Sequence, residues 1–114
     1  MSASRAPATA NVKQAAPVFA ALGDPTRLRL VERLANGEPE SIARLCAGSR
    51  MTRQAITKHL VVLARAGLVR DRRVGRERMW RLERARLDEA RAYLERVGAQ
   101  WDDALGRLKD FVEG

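Results

Sequence analysis

Residues 52–69 read TRQAITKHLVVLARAGLV, and the spacing of their apolar side chains decides the fold. Ile56, Leu60 and Leu63 recur at the helical period, with His59 beside them, so one face turns toward a core. Thr52 stands where an N-cap side chain accepts from the first free backbone N–H groups. Gly67 stands where helices commonly end. The opposite face presents Arg53, Gln54, Thr57, Lys58 and Val61, which leaves this helix a second surface to offer a partner.

Upstream, Ala47-Gly48-Ser49 spells a tight turn. Before it, Glu38-Pro39 leads into a short helix over about residues 40–46, with Ile42 and Leu45 inward. Asp24-Pro25-Thr26 starts the preceding helix, Asp24 as N-cap and Pro25 at the first helical position. Its apolar residues are Leu28, Val31, Leu34 and Ala35, and Asn36-Gly37 closes it. A first short helix is expected over residues 11–22, carrying Val18, Phe19 and Leu22, with Pro17 starting its last part or kinking it. The opening MSASRAPATA, small and polar, reads as a flexible tail over residues 1–10.

Downstream of Gly67 the period changes. Residues 68–73 and 77–82 carry β-compatible side chains (Val69, Met79, Trp80, Leu82) around Val74-Gly75-Arg76, the pattern of a hairpin with a glycine turn. The helical period then returns. Leu87, Ala90, Leu94, Val97, Trp101, Ala104, Leu108 and Phe111 follow one another at alternating steps of three and four. That is a heptad seam, about 37 Å of helix. Packing against the chain's own core is the plain reading of such a stripe. A seam this long nevertheless exceeds what so small a domain covers, so it predicts a homodimer.

The 114 residues leave room for one domain. Residues 11–114 are read as that domain: helix-turn-helix over 40–67, hairpin wing over 68–83, dimerisation helix over 87–112. Net charge is +8, and its distribution says more than its size. Residues 1–47 carry a net +2, residues 48–86 a net +9 and residues 87–114 a net −3. Nineteen of the 22 cations are arginine, as a GC-rich coding bias gives, but such bias spreads arginines evenly. Here the excess falls on the turn, the second helix and the hairpin, which points to an acidic partner at that region.

A short helix, a tight turn, a longer helix and a basic hairpin make a mainly α fold with a small β wing, a winged helix-turn-helix. The longer helix suits the major groove of double-stranded DNA. Gln54 and Arg53 suit base edges, with Thr57 and Lys58 beside them. Arg50 and the Thr52 end of the helix suit phosphate. At the hairpin tip Arg73, Arg76 and Arg78 suit the flanking backbone or minor groove. The alternative for these charges is an ordinary solvated face, and for His59 a packing role at the core boundary.

Three stretches resemble the ArsR/SmtB family of bacterial transcriptional regulators: FAALGDPTRLRLVERL (residues 19–34), TRQAITKHLVVLARAGLV (residues 52–69) and VGRERMWRL (residues 74–82). The resemblance runs from about Val18 to Phe111, in order and with family-like spacing. It implies a homodimer joined by the first and last helices, Val18 and Phe19 included. Each wing and recognition helix would then read half an operator. The resemblance also implies a repressor that occludes a promoter at an imperfect inverted repeat.

Metal sensors of that family carry a paired-cysteine box before the turn. The matching stretch here is Pro39-Glu40-Ser41-Ile42-Ala43-Arg44-Leu45, with Ser41 and Ala43 at the cysteine positions. Cys46 is the only cysteine and His59 the only histidine, whereas a thiolate site needs several soft ligands. The last helix has Asp88, Glu89, Asp102 and Asp103 but no histidine. No metal or other cofactor is therefore expected. One cysteine also excludes an internal disulfide and fits a reducing, cytoplasmic setting. Redox control through Cys46 competes with its ordinary role as a small core residue.

No apolar run approaches the length of a membrane span. No nucleophile–base pair or phosphate-binding glycine loop is present, so no catalytic residue is assigned. An interaction module for a protein or RNA partner remains the second reading of the basic face. No motif identifies a small-molecule inducer, although a dimer interface offers room for one.

Overall fold

A computed structural model describes residues 12–113; the expected tail over residues 1–10 lies outside them. Five helices and three strands follow in the order α1 (Val12–Leu22), α2 (Pro25–Ala35), β1 (Glu40–Ser41), α3 (Ile42–Cys46), α4 (Arg53–Arg65), β2 (Val69–Val74), β3 (Glu77–Leu82) and α5 (Arg84–Glu113). The fold is a winged helix-turn-helix: mainly helical, with one small antiparallel sheet ordered β1-β3-β2.

Helix α1 runs unbroken through Pro17 rather than starting again there. The proline sits just beyond the first turn, where its missing N–H costs only the bond to the Lys13 carbonyl. Helix α2 starts as its sequence dictates: Asp24 is in extended conformation and its carboxylate accepts from the Arg27 N–H at 3.0 Å. Its inward face is rotated from the expected one. Leu30, Val31 and Leu34 are buried, whereas Leu28 is 50% exposed. Arg27 explains the rotation, since its guanidinium donates to the carbonyls of Ala20 and Ala21 at the end of α1. A hydrophobic pattern does not count an arginine as inward.

The expected helix over residues 40–46 is shorter by two residues. Glu40 and Ser41 form a strand instead, pairing with Trp80 and Met79 of β3. Ser41 then caps α3, its hydroxyl accepting from the Arg44 N–H at 3.2 Å. Helix α4 opens on Thr52, whose Oγ1 accepts from the Ala55 N–H at 3.0 Å. It closes with paired bonds from Gly67 N–H to the Ala64 carbonyl and from Leu68 N–H to the Leu63 carbonyl, both 2.9 Å. This Schellman ending needs a left-handed residue, and Gly67 has φ +80°.

Strand β2 begins at Val69 and runs to Val74, one residue later at each end than expected. Gly75 and Arg76 make a two-residue turn, with Gly75 at φ +65°. Glycine in the first turn position matches the twist of the flanking strands. The core gathers Val18 from α1, Leu30 and Leu34 from α2, and Ile42 and Leu45 from α3. Ile56, Leu60 and Leu63 from α4, Leu68, Val69 and Trp80 complete it. Helix α5 is 30 residues long, beginning three residues before the expected start.

Candidate nucleic-acid interface

The apolar face of α4 is held against the core, so its orientation is fixed and its other face is set outward. Ile56, Leu60 and Leu63 are buried, while Arg53, Gln54, Lys58 and Val61 are exposed. Thr57 is half-buried, and its hydroxyl proton is already given to the Arg53 carbonyl at 2.8 Å. Its Oγ1 lone pairs and methyl group are what it presents. Thr52 is likewise engaged, as the cap of the helix. The first-turn N–H groups of Arg53 and Gln54 have no intrahelical acceptor to reach, and no acidic residue lies in that turn.

A polar tie fixes α4 to the α1–α2 junction. His59 Nδ1 lies 3.3 Å from an Arg27 guanidinium nitrogen and 3.8 Å from the Asp24 carboxylate. The backbone N–H of Arg27, with the charges of His59 and Arg27 behind it, holds the Asp24 carboxyl below its ordinary range despite some desolvation. His59 thus sits at the core boundary and also joins the start of α2 to α4.

The wing places its arginines by strand register. Arg73 stands opposite Arg78 and Arg70 opposite Arg81. Like charges so placed repel, and a carboxylate answers each pair. Asp71 lies 2.9 Å from Arg78, and Glu83 lies 2.9 Å from Arg70 and 4.0 Å from Arg81. Of the three wing cations expected from sequence, Arg78 is therefore committed within the wing, whereas Arg73 and Arg76 have no ion pair among the described residues. Arg72 is also exposed and unpaired; it faces Met79 across the hairpin. Sequence reasoning left it out of the tip, because only the register shows that its neighbour is apolar. Arg50, Arg53 and Lys58 around the start of α4 also lack an acidic partner among the described residues.

The seam residues divide into two sets. Val18, 1% exposed, and Ala90, 4% exposed, are filled in by the protomer's own core, so they do not face outward as the expected interface has them. The cause is α1, which packs along the first half of α5. Phe19 and Leu87 are half-buried there, and the Phe19 ring meets Tyr93 at 6.1 Å. Beyond that point the stripe emerges. Leu94, Val97, Trp101, Leu108 and Phe111 are exposed, Trp101 by 62% and Phe111 by 84%, with Leu105 and Val112 beside them; Ala104 is half-buried. An apolar strip of this length on a surface marks an interaction face.

Among the described residues no three His, Cys, Asp or Glu side chains are grouped to hold a metal ion. At the box positions Ser41 is spent as the α3 cap and Ala43 offers no donor. Among the described residues no helix is long and apolar enough to cross a membrane.

Residues 22–72 match a family model described as a helix-turn-helix domain. An HTH-type transcriptional regulator of Mycobacterium tuberculosis is 37% identical over 93 residues, 82% of this chain and 83% of that protein. An ArsR-like transcriptional regulator from Rhodococcus sp. RHA1 superposes with a TM-score of 0.77 at 39% identity, covering 87% of this chain and 92% of that one. The chain belongs to the ArsR/SmtB family of transcriptional regulators. A further neighbour is described as a homodimeric winged helix-turn-helix DNA-binding domain from Mycobacterium bovis, a possible ArsR-family transcriptional regulator. It shares 29% identity with a TM-score of 0.61, covering 94% of this chain and 95% of that one. Relative to an ArsR/SmtB metal sensor, this regulator keeps the frame and lacks the paired thiolates.

Proposed function

We propose that this ArsR/SmtB protein is a homodimeric repressor that binds double-stranded DNA at an imperfect inverted repeat and blocks a promoter by occupying it. The observation that carries the reading is the placement of free cations. Arg50, Arg53 and Lys58 surround the start of an outward-facing helix, and Arg72, Arg73 and Arg76 occupy the wing, all without acidic partners among the described residues. Unpaired charge of one sign on two protruding elements suits a polyanion.

Gln54 and Arg53 read base edges, Thr57 offers an acceptor and a methyl group, and Lys58 flanks them. Arg50 and the first-turn N–H groups after Thr52 take phosphate. Arg73 and Arg76 hold the flanking backbone, with Arg78 contributing what Asp71 leaves of its charge. The exposed seam of Leu94, Val97, Trp101, Leu108 and Phe111 packs against a second copy, as the homodimeric relative supports. Two recognition helices then address half-sites about 10–11 bp apart.

Fluorescence-anisotropy titration of the DNA upstream of the gene, against scrambled duplex over a range of salt, tests this. Binding ~10³-fold or more tighter to the upstream DNA is expected. Equal, weak and steeply salt-dependent binding to both duplexes would show that the arginines see only phosphate.

A further inference from the structure

Between α2 and the turn that joins α3 to α4 lies a cavity of about 400 Å³, within the range that holds small organic ligands. Its floor is apolar: Leu30, Leu45 and Ile56 line it and are themselves buried. Arg29, Arg33 and Arg50 also line it, and no aspartate or glutamate does.

The three arginines are not equivalent. Arg33 is held by Glu40, with contacts of 3.0 and 2.6 Å, and donates to the Arg44 carbonyl at 2.9 Å. That carboxylate raises its pKa further, so its charge is fixed and already answered. Arg29 and Arg50 have no acidic partner among the described residues. Two free guanidinium groups over an apolar floor lack one thing, an anion carrying an apolar body.

We propose that this cavity is a binding site for a small amphiphilic carboxylate, which weakens DNA binding when it occupies the site. A carboxylate matches the planar guanidinium fork. The Thr26 and Ser49 hydroxyls also line the cavity, but its apolar floor suits an aliphatic or aromatic body, which inorganic phosphate lacks. The cavity touches α2, α3, the turn and α4 through Ile56, the parts that together set the angle of the recognition helix. Arg50 occupied by a ligand is also withdrawn from phosphate. This second step rests on the DNA-binding reading above; the binding step does not.

Amide chemical-shift titration of the full chain, without DNA, tests the site, using octanoate and benzoate as probes and octanol and benzamide as their uncharged counterparts. Both carboxylates are expected to saturate at millimolar concentration or below, shifting the amides of Arg29, Leu30 and residues 47–51. The uncharged counterparts should bind about tenfold or more weakly. Arg29→Gln should weaken octanoate about tenfold or more, and Arg29→Lys, which restores the charge without the fork, should recover only part of it. Shifts confined to the wing and the start of α4, octanol binding as well as octanoate, or no saturation would each overturn the site. In a separate anisotropy experiment octanoate should loosen DNA from the wild type and not from Arg29→Gln. Saturating octanoate with unchanged DNA affinity would overturn the coupling alone.

Discussion

Arg73 and Arg78 stand directly opposite each other across the wing, and Asp71 bridges only Arg78, at 2.9 Å. The pairing is unfavourable in isolation, since like charges face one another on adjacent strands. It leaves one arginine committed and the other open to a partner. Arg73→Ala should therefore weaken binding to all DNA sequences alike and reduce the salt slope by about one, with no loss of thermal stability. Asp71→Asn should do the reverse: freeing Arg78 raises non-specific affinity, and the unbridged pair lowers the melting temperature. Anisotropy over a salt series and thermal denaturation of the two variants check both directions.

On the proposed reading, base reading and backbone anchoring fall to different residues of this surface. Gln54 is exposed on the face of α4 away from the core, whereas Arg76 sits in the hairpin turn. Gln54→Ala should cost ~1–3 kcal/mol on the preferred duplex and relax the preference at one base position. Arg76→Ala should lower affinity uniformly and reduce the salt slope. A panel of single-base operator variants titrated with each protein distinguishes the two. Identical profiles would overturn the division of labour.

Thr52 bonds its own helix, so on the proposed reading any part it plays in DNA binding passes through the shape of the helix start. Thr52→Ala should cost about 1 kcal/mol of stability through loss of the cap, and Thr52→Ser should restore it. Urea denaturation measures the cost. A DNA affinity that falls with Ala and recovers with Ser would follow the cap, because both hydroxyls accept from the Ala55 N–H.

Trp101 and Ala90 test the two halves of the seam against each other. Trp101→Glu places a charge on a side chain already in solvent, so the protomer should fold and the dimer dissociate, read by light scattering after size exclusion. Ala90→Glu buries the charge in the protomer's own core, where an unpaired carboxylate is costly, so folding itself should fail by circular dichroism. A folded, dimeric Trp101→Glu protein would remove α5 from the interface.

The features legible in the sequence are those with a local cause. The periods of α4 and α5, the caps Asp24 and Thr52 and the hairpin glycine Gly75 are set by residues a few positions apart. The features that were not legible depend on distant partners. Glu40 and Ser41 form a strand because the edge of β3, some forty residues later, is there to pair with. Leu28 turns outward because Arg27 takes the inward place to hold the end of α1. The heptad spacing shows that Ala90 and Trp101 share a stripe, but only the packing of α1 shows that the first is covered. Among the wing arginines, composition counts charges, whereas register decides which are free.

Asp24 joins the start of α2 to His59 of α4. Its folded pKa lies below the unfolded one, chiefly because the carboxylate accepts from the Arg27 N–H. The stability it adds is therefore complete above the unfolded carboxyl pKa, near ~4, and is lost as the pH falls through the lower folded value. Asp24→Asn keeps an acceptor for the cap but has no proton to take up in that window. The variant should be the less stable protein at neutral pH, since it lacks the charge facing Arg27 and His59. On acidification the wild type should lose stability faster, so that the two melting temperatures converge at low pH. Thermal denaturation of both proteins from pH ~7 to ~2.5 measures this. A constant difference across the range would mean that the Asp24 charge contributes nothing to the tie between α2 and α4.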